Sequence, residues 1–190
     1  FAFCAADKLH VGSFNIQIFG VSKINKPGVM DVLVKILRRY HIVLVQEIRD
    51  NTDTALDILL TNLNKGGKTQ YKYVQSPRLG RTDSKERYAY IYDPTKVNVV
   101  GEFQYPDPKN WYQRAPFSAV FALKASPTKK FMFSGVHTQP TDAVSEIDHL
   151  VDVYDFYAAQ ADTKNVIKTN WIVMGDFNAG GSYVSNKAWE

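Results

Sequence analysis

Ile42-Val43-Leu44-Val45 is the stretch that most limits what this chain can fold into. An apolar run without polar alternation, rich in β-branched residues, reads as a strand buried on both faces. The chain must therefore supply a packed layer on each side of it, which excludes a one-faced sheet open to water. The run halts in Gln46-Glu47-Ile48-Arg49-Asp50, so polar groups gather where the strand ends. The same pattern recurs at Trp171 to Met174, which stops at Gly175 and is followed at once by Asp176 and Asn178. Two residues apart on an extended chain, that carboxylate and amide point to the same side. Taken alone, Gly-Asp-x-Asn is equally well a strand followed by an Asx turn.

The rest of the chain supplies the layers. Leu9 to Ile16 alternates as a strand and carries Asn15 at its end, while Val29, Leu33, Ile36, Leu37 and Tyr40 recur at helical spacing. A second helix reads from Thr52 to Leu63, and Tyr71 to Val74 is extended again. The polar segment from Pro77 to Arg87 runs into the aromatic strand Tyr88 to Tyr92, which sets Glu86 at its threshold. Val97 to Tyr105 and Pro116 to Leu123 are expected as neighbouring strands, joined by a 106–115 loop whose Trp111, Tyr112 and Arg114 suit a surface contact. Lys130 to Val136 is a further strand leading into His137-Thr138-Gln139-Pro140. Asp142 to Ala161 reads as one long helix, with Val144, Ile147, Leu150, Val151, Tyr154 and Ala158 inward and Glu146, Asp148 and Asp152 outward. No repeat, linker or low-complexity tract interrupts this α/β order, so residues 8–190 are expected to form one domain. Residues 1–7, apolar and rich in small side chains up to Ala6, read equally as the remnant of a secretory leader or as a frayed N-terminus.

Charge and cysteine content narrow little further. A net charge of +4 is compatible with a polyanionic partner without requiring one. The lone Cys4 leaves no internal disulfide and no Cys/His zinc cluster. No apolar stretch approaches the roughly 20 residues that span a bilayer, so no membrane association is expected.

Five strand ends thus carry Asn15, Glu47, Glu86, His137 and Asp176 with Asn178. Acid, amide and imidazole groups recurring at strand termini are what a site at one edge of a sheet requires. Hard oxygen donors such as Glu47 and Asp176 suit Mg²⁺ or Ca²⁺, with Mn²⁺ an acceptable substitute. A carboxylate beside a histidine fixes its tautomer and equips it for proton transfer. Together these groups suit phosphodiester hydrolysis.

Ser13-Phe14-Asn15-Ile16, Val45 to Asp50, Leu79-Gly80-Arg81 through Lys85-Glu86-Arg87-Tyr88, His137-Thr138-x-Pro140 and Gly175 to Ala179 resemble, in order and spacing, the deoxyribonuclease I family of the endonuclease/exonuclease/phosphatase superfamily. Arg78-Leu79-Gly80, Glu146-Ile147-Asp148 and Lys187-Ala188-Trp189 lean towards its gamma-type secreted branch. The resemblance implies a four-layer α/β sandwich, two packed mixed sheets with outer helices, here without the family's last strands. It implies a secreted, divalent-metal-dependent endonuclease acting as a monomer on DNA, mainly double-stranded; no expectation is set for actin. By position it implies Glu47 and Asn15 at the metal, and Glu86 and His137 as an acid–base pair. Asp176 would orient the attacking water or help hold metal, Asn178 would line the phosphate, and Arg49 and Arg114 would contact DNA. Gln17 and Ser84 stand where the family often carries arginine and tyrosine, and the chain ends at Glu190, before a later aspartate and a Ser-Asp-His segment. The alternatives are a sister phosphodiesterase or phosphatase acting on lipid or inositol phosphates, or a catalytically inactive binding module.

Overall fold

The computed structural model describes residues 8–52, 54–160 and 169–189; the stretch at 1–7, read as a leader remnant or a frayed terminus, lies outside them. The first sheet contains β1 (Val11–Phe19), β2 (Ile42–Ile48), β3 (Lys72–Gln75) and β4 (Arg87–Tyr92), in the order β1-β2-β4-β3. Its β1–β2 pair is parallel and the other pairs are antiparallel. The second contains β5 (Val97–Gln104), β6 (Phe117–Leu123), β7 (Ser126–His137) and β8 (Trp171–Asp176) in sequence order, with only β7–β8 parallel. The helices are α1 (Val21–Ile24), α2 (Val29–Leu37), α3 (Ala55–Asn64), α4 (Ala143–Asp148) and α5 (Leu150–Ala158).

Strand β2 is buried along its whole length, as its composition requires. Alternation divides its apolar side chains between two cores. Ile42 and Leu44 meet Tyr88, Tyr90, Phe117, Ala119, Phe121 and Phe133 between the sheets. Val43 and Val45 face the other way, onto Leu33, Leu37, Leu56, Leu59 and Leu63 of α2 and α3. A third core covers the far side of the second sheet, where Val120 and Met132 meet Val153 and Tyr157 of α5. The layers are therefore helix, sheet, sheet, helix, as the resemblance implied.

The stretch expected as one helix from Asp142 is two, broken at His149 with φ −72° and ψ 0°. Its inward face also differs from the expectation. Ala143, Glu146, Val153 and Tyr157 are buried, whereas Val144 is 43% exposed and Val151 60%. Ala143 and Glu146 lie about one turn apart on α4, and Val153 and Tyr157 about one turn apart on α5; the charge of Glu146 concealed the buried side of α4 in the sequence. The 106–115 loop likewise folds inward. Tyr112 and Arg114 are buried, and the Trp111 ring stacks on His149 with centroids 3.7 Å apart.

Two local devices aim side chains at the strand ends. Strand β1 runs in register with β2 as far as Asn15↔Gln46 and resumes at Phe19↔Ile48, so three residues oppose one. Gln17 (φ 55°), Ile18 (φ 52°) and, on β2, Glu47 (φ 58°) carry this bulge, which turns Asn15 and Glu47 towards each other. The second device is Gly175, at φ 145°, where an added Cβ would overlap the Val136 carbonyl oxygen. Only glycine lets β8 lie against β7 at this level, and the next register pair is His137↔Asp176.

Candidate active site

Strands β1, β2, β7 and β8 end, and β4 begins, at one edge of the sandwich. Asn15 joins the two sheets there: its Nδ2 donates to Glu47 Oε1 at 2.9 Å and to Asp176 Oδ2 at 3.0 Å. His137 Nδ1 lies 2.5 Å from Glu86 Oε1 in a buried pair. An ionised carboxylate only accepts, so the ring proton sits on Nδ1 and Nε2 is left facing the site. Nε2 is 4.0 Å from both Glu47 Oε1 and Asp176 Oδ2, too far to bond either. Asp176 is the exposed member of the group, its side chain 37% accessible.

Glu86 is fully buried between two cations. Arg114 Nε is 3.1 Å from Oε1, and Arg49 Nη2 is 3.4 Å from Oε2. Arg49 Nη2 also lies 3.3 Å from Glu47 Oε2, so this guanidinium spans the two carboxylates. Burial pushes the Glu47 carboxyl up, but hydrogen bonds from Asn15 and from the Ile18 N–H, with the charge of Arg49, outweigh it and hold the group below its ordinary value. Glu47 is thus kept ionised.

All eight side chains singled out in the sequence lie at or beside this edge, but two are deployed in ways that residue type did not indicate. Arg114 is turned inward: besides Glu86, its Nε donates to the His137 carbonyl and its Nη2 to that of Thr138. Arg49, half-buried, is occupied with Glu47 and Glu86. Asn178, at φ 44°, donates from Nδ2 to the Thr138 carbonyl at 2.8 Å. Its backbone N–H bonds Asp176 Oδ1, so the Asx turn forms as well as the site.

Two supporting residues were missed. Tyr88 Oη accepts the His137 N–H at 2.8 Å, and Gln46 Nε2 donates to the Val136 carbonyl at 2.6 Å while its Oε1 accepts from Ser13. An amide following a fully apolar strand is a signal that could have identified Gln46, because buried polar groups need partners. Nothing in an aromatic strand distinguishes Tyr88.

Among the described residues no three His, Cys, Asp or Glu side chains are gathered as a metal cage. Asn15 turns its Nδ2 to both carboxylates while its Oδ1 accepts the Gln17 N–H at 2.8 Å, so the amide expected at the metal presents no oxygen to it, and Glu47 and Asp176 alone form a sparse set of hard donors on an open edge. That set fits a cation such as Mg²⁺, which keeps much of its shell as water and phosphate oxygen.

The Endonuclease/Exonuclease/phosphatase family model matches residues 12–190. The chain belongs to that family. Among curated relatives, mouse (Mus musculus) deoxyribonuclease-1-like 2 is 37% identical over 97% of this chain and 64% of its own length. Human (Homo sapiens) deoxyribonuclease gamma is 40% identical over 96% of this chain and 60% of its own. The chain thus spans about three fifths of the length of these curated relatives. An endonuclease/exonuclease/phosphatase family protein from Bacteroides thetaiotaomicron superposes with a TM-score of 0.59 at 17% identity, over 95% of this chain and 67% of that one, which shows the shared fold.

Proposed function

We propose that this chain carries the hydrolytic site of a divalent-cation-dependent endonuclease that cleaves phosphodiester bonds of DNA, mainly double-stranded, in a secreted protein. The observation that carries the reading is the His137–Glu86 pair, with Nε2 held 4.0 Å from two carboxylates that Asn15 joins. Relatives named as deoxyribonucleases, at 37% and 40% identity, support DNA as the substrate.

Glu86 fixes the orientation and tautomer of His137, so that Nε2 is the atom that exchanges a proton with an oxygen of the reacting phosphodiester or of water. Asp176, exposed beside it, accepts a hydrogen bond from the attacking water and aligns it. Asn178 lines the same edge beside the phosphate, and Asn15, whose Nδ2 bonds both Glu47 and Asp176, steadies the two carboxylates. Glu47, with Asp176 across from it, would hold a divalent cation, which when bound would supply positive charge for the phosphate oxygens in the transition state. Arg49, partly exposed and 3.4 Å from Glu86, is the side chain assigned to DNA. Arg114, as placed, serves by holding Glu86.

The test is plasmid nicking by the full-length protein with Mg²⁺, Ca²⁺ or Mn²⁺, alongside EDTA and alongside sphingomyelin and inositol phosphate substrates. Cation-dependent nicking that EDTA abolishes is expected. Turnover of the lipid or inositol substrate without nicking would replace this reading with a phosphatase, and DNA binding without turnover would make the chain a binding module.

A further inference from the structure

Glu146 is 1% exposed on α4 and lies near Tyr112, a member of the apolar core that Val153 and Tyr157 of α5 also enter. A buried carboxylate costs stability unless its oxygens are bonded. Here they serve two different loops: Oε1 accepts the Gln113 N–H at 2.8 Å and Oε2 the Gln139 N–H at 3.2 Å. Gln113 immediately precedes Arg114, which grips Glu86 and the His137 carbonyl. Gln139 immediately follows Thr138, whose carbonyl accepts from both Arg114 and Asn178. The two loops are therefore tied twice, once by Arg114 at the site and once by Glu146 behind it. A residue needed only to fill that space would be better apolar.

We propose that Glu146 is a positioning residue for the reaction assigned above: by holding the Gln113 and Gln139 amides together it sets the distance between the Arg114–Glu86 and His137 segments. The inference rests on that reading for its kinetic consequence, but the staple itself is independent of it. The charged and titratable groups around Glu146 are Arg114 and Tyr112 from the loop, Tyr88 from β4 and Asp142 from its own turn. Burial raises the Glu146 carboxyl; the two amide bonds and Arg114 pull it down and Asp142 pushes it up, for a net value above the ordinary one. Protonation puts a hydroxyl donor against one of the two N–H groups. The staple is therefore released on acidification, at a pH above that at which an ordinary glutamate protonates.

Two measurements test this on the full-length protein. Glu146→Gln keeps the volume and one acceptor but turns an NH₂ group towards the other amide. In plasmid nicking it should lower kcat by about tenfold, since a displacement near 1 Å at a reacting group costs up to ~10²-fold. KM and the cation titration should stay as in wild type. Glu146→Asp, which retracts the carboxylate but keeps both acceptors, should recover part of the loss. An unchanged kcat, or a fall that comes with a shifted cation titration, overturns the proposal. The second measurement needs no variant: in the wild-type NMR spectrum the Gln113 and Gln139 amide protons should titrate together, with one apparent pKa above the ordinary glutamate value. Separate titrations, or none, overturn the staple. If the amides titrate together but the wild type cleaves no DNA with any cation, the staple stands and the proposed function fails. If it cleaves DNA and the amides do not, the reverse holds.

Discussion

Gly175→Ala tests the link between strand packing and chemistry. The glycine sits at φ 145°, where a side chain is strained, and its new methyl would overlap the Val136 carbonyl oxygen of the adjacent strand. Backbone strain of that kind costs on the order of 1–3 kcal/mol, and overpacking against a neighbour that cannot withdraw costs about as much again. Taking roughly 3 kcal/mol in all, and about 2–4 °C per kcal/mol for a domain of this size, the melting temperature should fall by roughly 6–12 °C. The strain cannot relax without parting β7 from β8 at the His137↔Asp176 pair. Nicking per folded molecule should therefore fall by up to ~10²-fold. Gly180→Ala is the control, because a Cβ there meets nothing within 4 Å. Melting and nicking by circular dichroism and plasmid assay should separate the two variants. A Gly175→Ala protein that melts and cleaves like Gly180→Ala would show that this glycine does not set the site.

Glu47→Gln removes an ionised donor without altering volume, so the cation concentration for half-maximal nicking, and for cation-induced thermal stabilisation, should rise by about 10-fold or more; a titration curve with the same midpoint and a lower plateau would remove Glu47 from the metal. Asp50 accepts the Thr54 and Ala55 N–H groups at the start of α3, and although burial pushes it up, these bonds and those from Thr52 lower its pKa from 3.8 to about 2. A depressed folded value means stability of about 2 kcal/mol, fully present above the unfolded pKa and lost as pH falls from there through the folded one. Asp50→Asn should remove most of it at pH 7 and flatten denaturant stability across that acid window, whereas an unchanged acid limb would leave the cap without energetic weight.

How much of this was legible follows from how each feature is encoded. Ile42–Val45 announces its two-faced burial because both neighbouring layers are apolar, and the strand ends carrying Asn15, Glu47, Glu86, His137 and Asp176 follow from where such runs stop. The juxtaposition of His137 with Asp176 was legible only as a shared edge, since their distance depends on a parallel register set by Gly175. The β1 bulge left no trace, because Gln17 and Ile18 are not residues that favour positive φ. Glu146 and Arg114 were misjudged for one reason. A charge is ordinarily a sign of solvent, and here each is buried by partners far away in sequence, which single-chain periodicity does not reveal.

The central claim is that Glu86 and His137 act as one proton-transfer unit on a DNA phosphodiester. A double-mutant cycle on plasmid nicking addresses it directly, with Glu86→Gln and His137→Gln made singly and together in the full-length protein, and melting temperatures measured to correct for the folded fraction. Each single change should cost at least ~10²-fold in rate, and the double change should cost little more than the worse of the two. Multiplicative losses, or a single variant that nicks like wild type, would contradict the pairing and with it the site.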